Sequence, residues 1–323
     1  MNDFGPLRLS VLDQSPIGEG RTPDDALHTT LELARLADSL GYHRYWLAEH
    51  HNSRSFAGTS PEVLAGPVLQ HTSRVRVGTG GILLPRYHPD TVAEKMNLLR
   101  RLSPGRVDVG IARGGGPADD FDQKLLRLRQ HLMDEGPADP PVPSTPAEPE
   151  NGLWLLGAGG STAPLAGRLG AGYAFGHFFS PRNGPASLAA YRRHLPDGRQ
   201  PSPLLAVRVI AAEDPEKAAA LAQAMLLWRA RKDLGHDGPV PGLHTLAQHT
   251  WTSEERTQAA LHRSAVLHGT PDQLHHRLTA LAHAHQVSEI MINTVTAAPE
   301  HRMTSYKLLA DAVLAPLAQV TVT

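Results

Sequence analysis

The chain has 323 residues, with 31 Lys and Arg against 32 Asp and Glu and a formal net charge of -1, a balance that gives no electrostatic footing for nucleic acid or an anionic membrane surface. The absence of cysteine excludes disulfides, thiolate metal sites and a cysteine nucleophile. No charged start followed by an apolar stretch opens the sequence and no apolar run is bilayer-length, so the expected setting is a cytoplasmic protein acting on a small organic molecule.

Leu7 to Leu12 is an apolar run ended by the turn residues Asp13-Gln14-Ser15-Pro16, which predicts a first strand. Thr22-Pro23-Asp24-Asp25 combines an N-cap, a proline at the first helical position and an acid at the third, and Leu27, Leu31, Ala34 and Ala37 mark one face of the helix that follows, up to Gly41. A second strand over Tyr45 to Ala48 runs into Glu49-His50-His51-Asn52. Pro61 opens a helix to about Thr72, Val75 to Gly78 is a third strand, and Pro89 to Leu102 a further helix. Strands are predicted again at Arg106–Ala112, Leu153–Leu156, Tyr173–Gly176, Leu204–Ile210 and Glu289–Val295. Gly136 to Glu150 is proline-rich and reads as an irregular connection. Helices are expected from Ser161, from Asp214-Pro215 to about Trp228, from Gly269-Thr270-Pro271, and from Pro299 to Leu317. Arg229 to Leu267 is a long, lid-like excursion after the seventh strand. Eight strands alternating with helices predict a (β/α)8 TIM barrel forming one domain over residues 1–323.

Chemistry in such a barrel belongs at the carboxyl ends of the strands. His50 lies there, and a histidine exchanges protons near neutral pH. Glu49 and Asn52 are its candidate orienting partners. Gly80 and Gly81 let backbone approach something flat, with a simple bulge as the alternative. Arg113, at another strand end, suits an anion. Gly157 to Thr162 sets glycines and hydroxyls before a helix, which suits an anion or serves as ordinary capping by Ser161. His177 is a candidate substrate contact or a structural histidine. Among the 19 histidines, His275 and His276 are helix neighbours that diverge, so no metal site is expected.

Taken in order, Gly41 to His51, Val77 to Pro85, Gly105 to Gly114, Leu155 to Thr162, Gly269-Thr270-Pro271 and Ser305 to Ala310 resemble the bacterial luciferase-like flavin-dependent monooxygenases. The resemblance implies FMN, used as reduced FMN from a separate flavin reductase, with O2 as co-substrate and a flavin C4a-hydroperoxide as oxidant. It implies His50 as the catalytic histidine with Glu49 beside it, and Gly80 and Gly81 as a pair joined by a non-proline cis peptide against the flavin ring. It further implies Arg113, Gly159, Gly160, Ser161 and Thr162 as the phosphate clamp, His177 and Asn52 toward the substrate, and a homodimer formed through early helices. Val63, Leu64, Val68, Met96 and Leu99 serve either as that interface or as core. Ala112 stands where the luciferases carry a reactive cysteine, and the connection from Arg113 to Gly152 is shorter than in close relatives. The expected reaction is hydroxylation or epoxidation of a polyketide-like molecule in secondary-metabolite or antibiotic biosynthesis, with ketone or aldehyde oxidation behind it. The alternatives are a deazaflavin-dependent hydride-transfer oxidoreductase and a flavin-binding protein without turnover.

Overall fold

A computed structural model describes residues 6–114, 119–134, 149 and 152–315. The predicted irregular connection from Gly136 lies outside the described residues apart from Pro149, as does the end of the closing helix beyond residue 315.

Among the described residues ten parallel strands form: β1 (Arg8–Asp13), β2 (Arg44–Leu47), β3 (Arg76–Thr79), β4 (Ile82–Leu83), β5 (Val107–Ala112), β6 (Leu153–Gly157), β7 (Gly172–Gly176), β8 (Pro203–Ala211), β9 (Val266–Gly269) and β10 (Glu289–Asn293). They run in the order β10-β1-β2-β3-β5-β6-β7-β8, and Leu205 of β8 pairs with Ile290 of β10 to close the circle. This is the expected (β/α)8 barrel of eight staves. The two extra strands are extensions at the carboxyl rim, β4 beside the end of β5 and β9 beside Arg208–Ala211 of β8.

The helices are α1 (Pro23–Ser39), α2 (Pro61–Gln70), α3 (Pro89–Leu102), α4 (Phe121–Asp134), α5 (Thr162–Arg168), α6 (Gly184–Arg193), α7 (Pro215–Asp233), α8 (Leu243–Gln248), α9 (Ser253–His262), α10 (Pro271–His285) and α11 (Pro299–Val313). Capping explains several boundaries. Thr22 and Asp25 form the reciprocal box read from the sequence, and Thr270 with Gln273 does the same for α10. Inward, Leu33, Ala34 and Ala37 of α1 are fully buried, each leucine-sized side chain contributing about 1.5–3 kcal/mol. Val68 and Met96 are likewise core, whereas Val63, Leu98 and Leu102 are exposed on α2 and α3. Among the described residues no helix is long and apolar enough to cross a membrane.

The insertion after the seventh stave is mostly helical. Its α9 starts at a capping box, Thr252 with Glu255, and its last residues extend the sheet as β9. It is fastened to the loops after β1 and β2: Val240 exchanges backbone hydrogen bonds with Ile17 and Glu19, and the indole of Trp228 donates to Ser55.

Inside the barrel the N-terminal end is ionic. Arg44 of β2 donates to Asp108 of β5 at 2.7 Å and to Glu289 of β10 at 3.0 Å, and Arg76 donates to the other oxygen of Asp108 at 2.6 Å. Trp46 adds an indole N–H to Asp108, and the Ser10 hydroxyl one to Glu289. Above this layer Trp46 meets Trp154 edge-on at 5.2 Å, packed with Leu12, Ala174, Leu204 and Met291. Those side chains plug the barrel and make the floor of what lies above.

Candidate active site

A cavity of about 680 Å³ opens at the carboxyl ends of the strands. Its walls come from β1 and the residue after it (Leu12, Gln14), the loop after β2 (Ala48 to Asn52), the β3–β4 turn (Gly80, Gly81), the end of β5 and the residue after it (Ala112, Arg113), β6 (Leu156, Gly157), β7 (Ala174, Gly176) and Ala206 and Met291. A hollow of about 690 Å³ at the N-terminal face is bordered by Arg8, Asp38, His43 and Arg74, which serve strand starts and turns, such as Asp38 accepting from the backbone of Ser73 and Arg74. In barrels of this type that end carries stability and the carboxyl end carries chemistry.

His50 is half-buried in the cavity wall. One ring face stacks on Phe56 at 4.2 Å, and Nε2 lies 3.2 Å from the amide nitrogen of Gln14. Burial, reinforced by the positive charges of Lys232 and Arg208, pushes its pKa down to about 4, so the ring is neutral at pH 7. The expected orienting partners do not reach it. Glu49 is 5 % exposed, and its carboxylate accepts from Tyr87 Oη at 2.8 Å, from the backbone N–H of Leu83 at 2.9 Å, and pairs with His51. Glu49 therefore ties down β4 and the turn behind the glycine pair, while Gln14 takes the place beside His50. Asn52 adopts a left-handed φ of 52° and stands exposed at the cavity mouth.

The Gly80–Gly81 peptide is cis, as the resemblance implied, and both residues line the cavity. A Cβ on Gly81 would lie 2.8 Å from the carbonyl oxygen of Gly110, so only glycine fits against β5 there. Arg113 places its guanidinium over Phe121 at 4.6 Å and gives Nη2 to Asp122, while its Nε is buried with no partner among the described residues. Gly159, Gly160 and Ser161 lie exposed on the loop before α5, with open space where Cβ atoms would be added to the two glycines. Ser161 makes no capping bond, and Thr162 is buried against the cavity.

His177 does not belong to the cavity wall. It is 5 % exposed, and its ring meets that of His285 edge-on at 5.8 Å, because the turn after β7 carries it outward. The next two residues, Phe178 and Phe179, line the cavity instead, Phe179 with 68 % of its surface exposed. No spacing rule separated these aromatics from core residues. Burial and the neighbouring His285 hold the His177 pKa down to about 4 as well.

These two histidines set an acid-side stability slope. Folded, they stay neutral to about pH 4; unfolded, they take up protons near 6.5, so protons favour the unfolded chain between those values. Their contribution is complete above about pH 6.5 and falls as pH drops, by up to about 1.4 kcal/mol per pH unit for His50. Urea unfolding at pH 7, 6 and 5 checks this: a falling midpoint that flattens in His50→Gln is expected, and a level one contradicts it.

The sequence profile of the luciferase-like monooxygenases matches residues 7–288. YwcH, an uncharacterised protein of Bacillus subtilis (strain 168), is 36% identical over 330 residues, covering 95% of this chain and 99% of its own. N-acetyl-S-alkylcysteine monooxygenase of the same organism is 33% identical, covering 96% and 99%. The crystal structure of apo-MsnO8 superposes with a TM-score of 0.80 at 33% identity, over 96% of this chain and 98% of that one. With the profile covering seven of the eight staves and the relatives covering 95–96% of the chain, this protein belongs to the luciferase-like monooxygenase family and is an oxidoreductase.

Proposed function

We propose that the protein is a monooxygenase that takes reduced FMN from a separate flavin reductase and inserts one atom of O2 into an apolar organic substrate. The observation that carries this reading is one cavity with two ends. A neutral histidine sits on the β1–β2 side, and two staves further round Arg113 offers a buried N–H with no partner among the described residues, on the stave next to the one that leads into the open Gly159–Ser161 loop. The residues fit FMN: Arg113 with Ser161 and Thr162 would hold the phosphate, and Gly80 and Gly81 leave room for the ring. Reduced flavin supplies the electrons that activate oxygen. The chain's own part is to bind and orient it, to exclude water with Leu83, Leu156, Phe178 and Met291, and to move a proton at His50 Nε2. The apolar wall suits hydroxylation or epoxidation of a polyketide-like molecule in antibiotic biosynthesis, and exposed Val63, Leu98 and Leu102 suit a homodimer interface.

Titration of FMN against riboflavin tests the assignment. Arg113→Ala is expected to weaken FMN by about 10- to 100-fold, as loss of a charged hydrogen bond of about 1.5–3 kcal/mol predicts, with riboflavin unchanged. Equal losses for both ligands would place the phosphate elsewhere.

A further inference from the structure

Gln14 directly follows β1, is 6 % exposed and lines the cavity. Its amide nitrogen is the hydrogen-bond partner of His50 Nε2, at 3.2 Å, and an amide nitrogen only donates. With the amide in this orientation the ring nitrogen accepts, which leaves the single proton of the neutral imidazole on Nδ1, an atom buried with no partner among the described residues. Phe56 fixes the plane of the ring, itself backed by Trp228 at 5.5 Å, but a stacked ring supplies no hydrogen bond to choose between the two nitrogens. That choice falls to Gln14.

The turn beneath the amide is firmly held. Asp13 accepts from the Ser15 backbone N–H at 2.6 Å, from Arg302 of α11 at 2.6 Å and from the Tyr45 hydroxyl. Ser15 takes a left-handed φ of 48°, an uncommon setting for serine that these contacts stabilise. The buried Asp13–Arg302 pair thus anchors the turn that carries Gln14.

We propose that Gln14 is a positioning residue that sets the tautomer of His50, keeping the ring proton on Nδ1 and Nε2 basic at the cavity wall. This rests on the reading of His50 as the proton-handling group. Gln14 Oε1, buried and without a partner among the described residues, completes the device. When a proton passes from a group in the cavity to Nε2, half a turn of the amide exchanges donor for acceptor, and Oε1 receives the new N–H. One proton moves, and no other reactant is needed.

Nitrogen-15 correlation spectra of histidine-labelled protein, with His50 assigned by its loss in His50→Ala, read the tautomer directly. The wild type is expected to show Nδ1 protonated and Nε2 bare at pH 7. Gln14→Glu presents only acceptors and is expected to move the proton to Nε2; Gln14→Leu is expected to release it to the Nε2–H form that free imidazole prefers. Both variants should keep the wild-type urea midpoint and FMN affinity within about twofold, yet shorten the reoxidation half-time of bound reduced FMN after an oxygen pulse at least tenfold. An Nε2–H ring in the wild type, or an unmoved proton in both variants, overturns the proposal. A moved proton with unchanged reoxidation keeps Gln14 as the tautomer-setting group and instead removes His50 from the proton chemistry.

Discussion

His50→Ala is expected to bring the reoxidation of bound reduced FMN by oxygen close to the rate of free reduced FMN, a change of about 10²–10⁴-fold, the usual worth of a positioned proton-transfer group. The protein would be loaded anaerobically with photoreduced FMN, mixed with oxygen, and followed by flavin absorbance on the millisecond scale, with hydrogen peroxide measured at the end. Affinity for FMN should stay within about threefold, because His50 follows β2, two staves from Arg113 after β5 and three from Thr162 after β6. The wild type is expected to reoxidise slowly and the variant quickly, with more peroxide released. Equal half-times in the two proteins would remove His50 from the oxygen chemistry. Truncation at this site should cost little stability at neutral pH, since the ring is neutral there and keeps only one hydrogen bond.

The second large effect is on folding. Arg44→Ala strips the buried carboxylates of Asp108 and Glu289 of a shared guanidinium, and breaking a buried pair from one side costs about 3–5 kcal/mol. Arg76 still reaches Asp108, and Arg8 lies 3.6 Å from Glu289, so neither carboxylate is wholly abandoned. Urea unfolding measures the difference; a loss below about 1 kcal/mol would show that these flanking arginines suffice. The burial of Arg44, at 1 % exposure, also stacks its guanidinium on Trp154 at 4.7 Å, so the substitution loosens the floor beneath the cavity as well.

Much of the architecture is written locally. Short apolar runs ending in turn residues give the staves, and the Thr22–Asp25 box gives the start of α1 to the residue. Where local signals are weaker the reading is coarser: Val266–Leu267 is too short to stand out from the histidine-rich excursion around it, and only pairing with β8 makes it a strand. The box at Thr252–Glu255, which starts α9 within that excursion, is not among the helix starts predicted above.

Sequence by itself determined the order of staves, the family likeness, and which strand ends hold His50, Gly80, Gly81 and Arg113, because turn chemistry and apolar periodicity act over a few residues. Tertiary structure decided which of those groups meet. Glu49 and His50 are adjacent just past β2, yet Glu49 turns to Tyr87 and Leu83 while His50 meets Gln14 and Phe56 in the cavity wall. Gln14 lies 36 residues from His50 in sequence, but β1 and β2 are neighbours with Asp13 opposite Leu47, and that register sets the two side chains against each other.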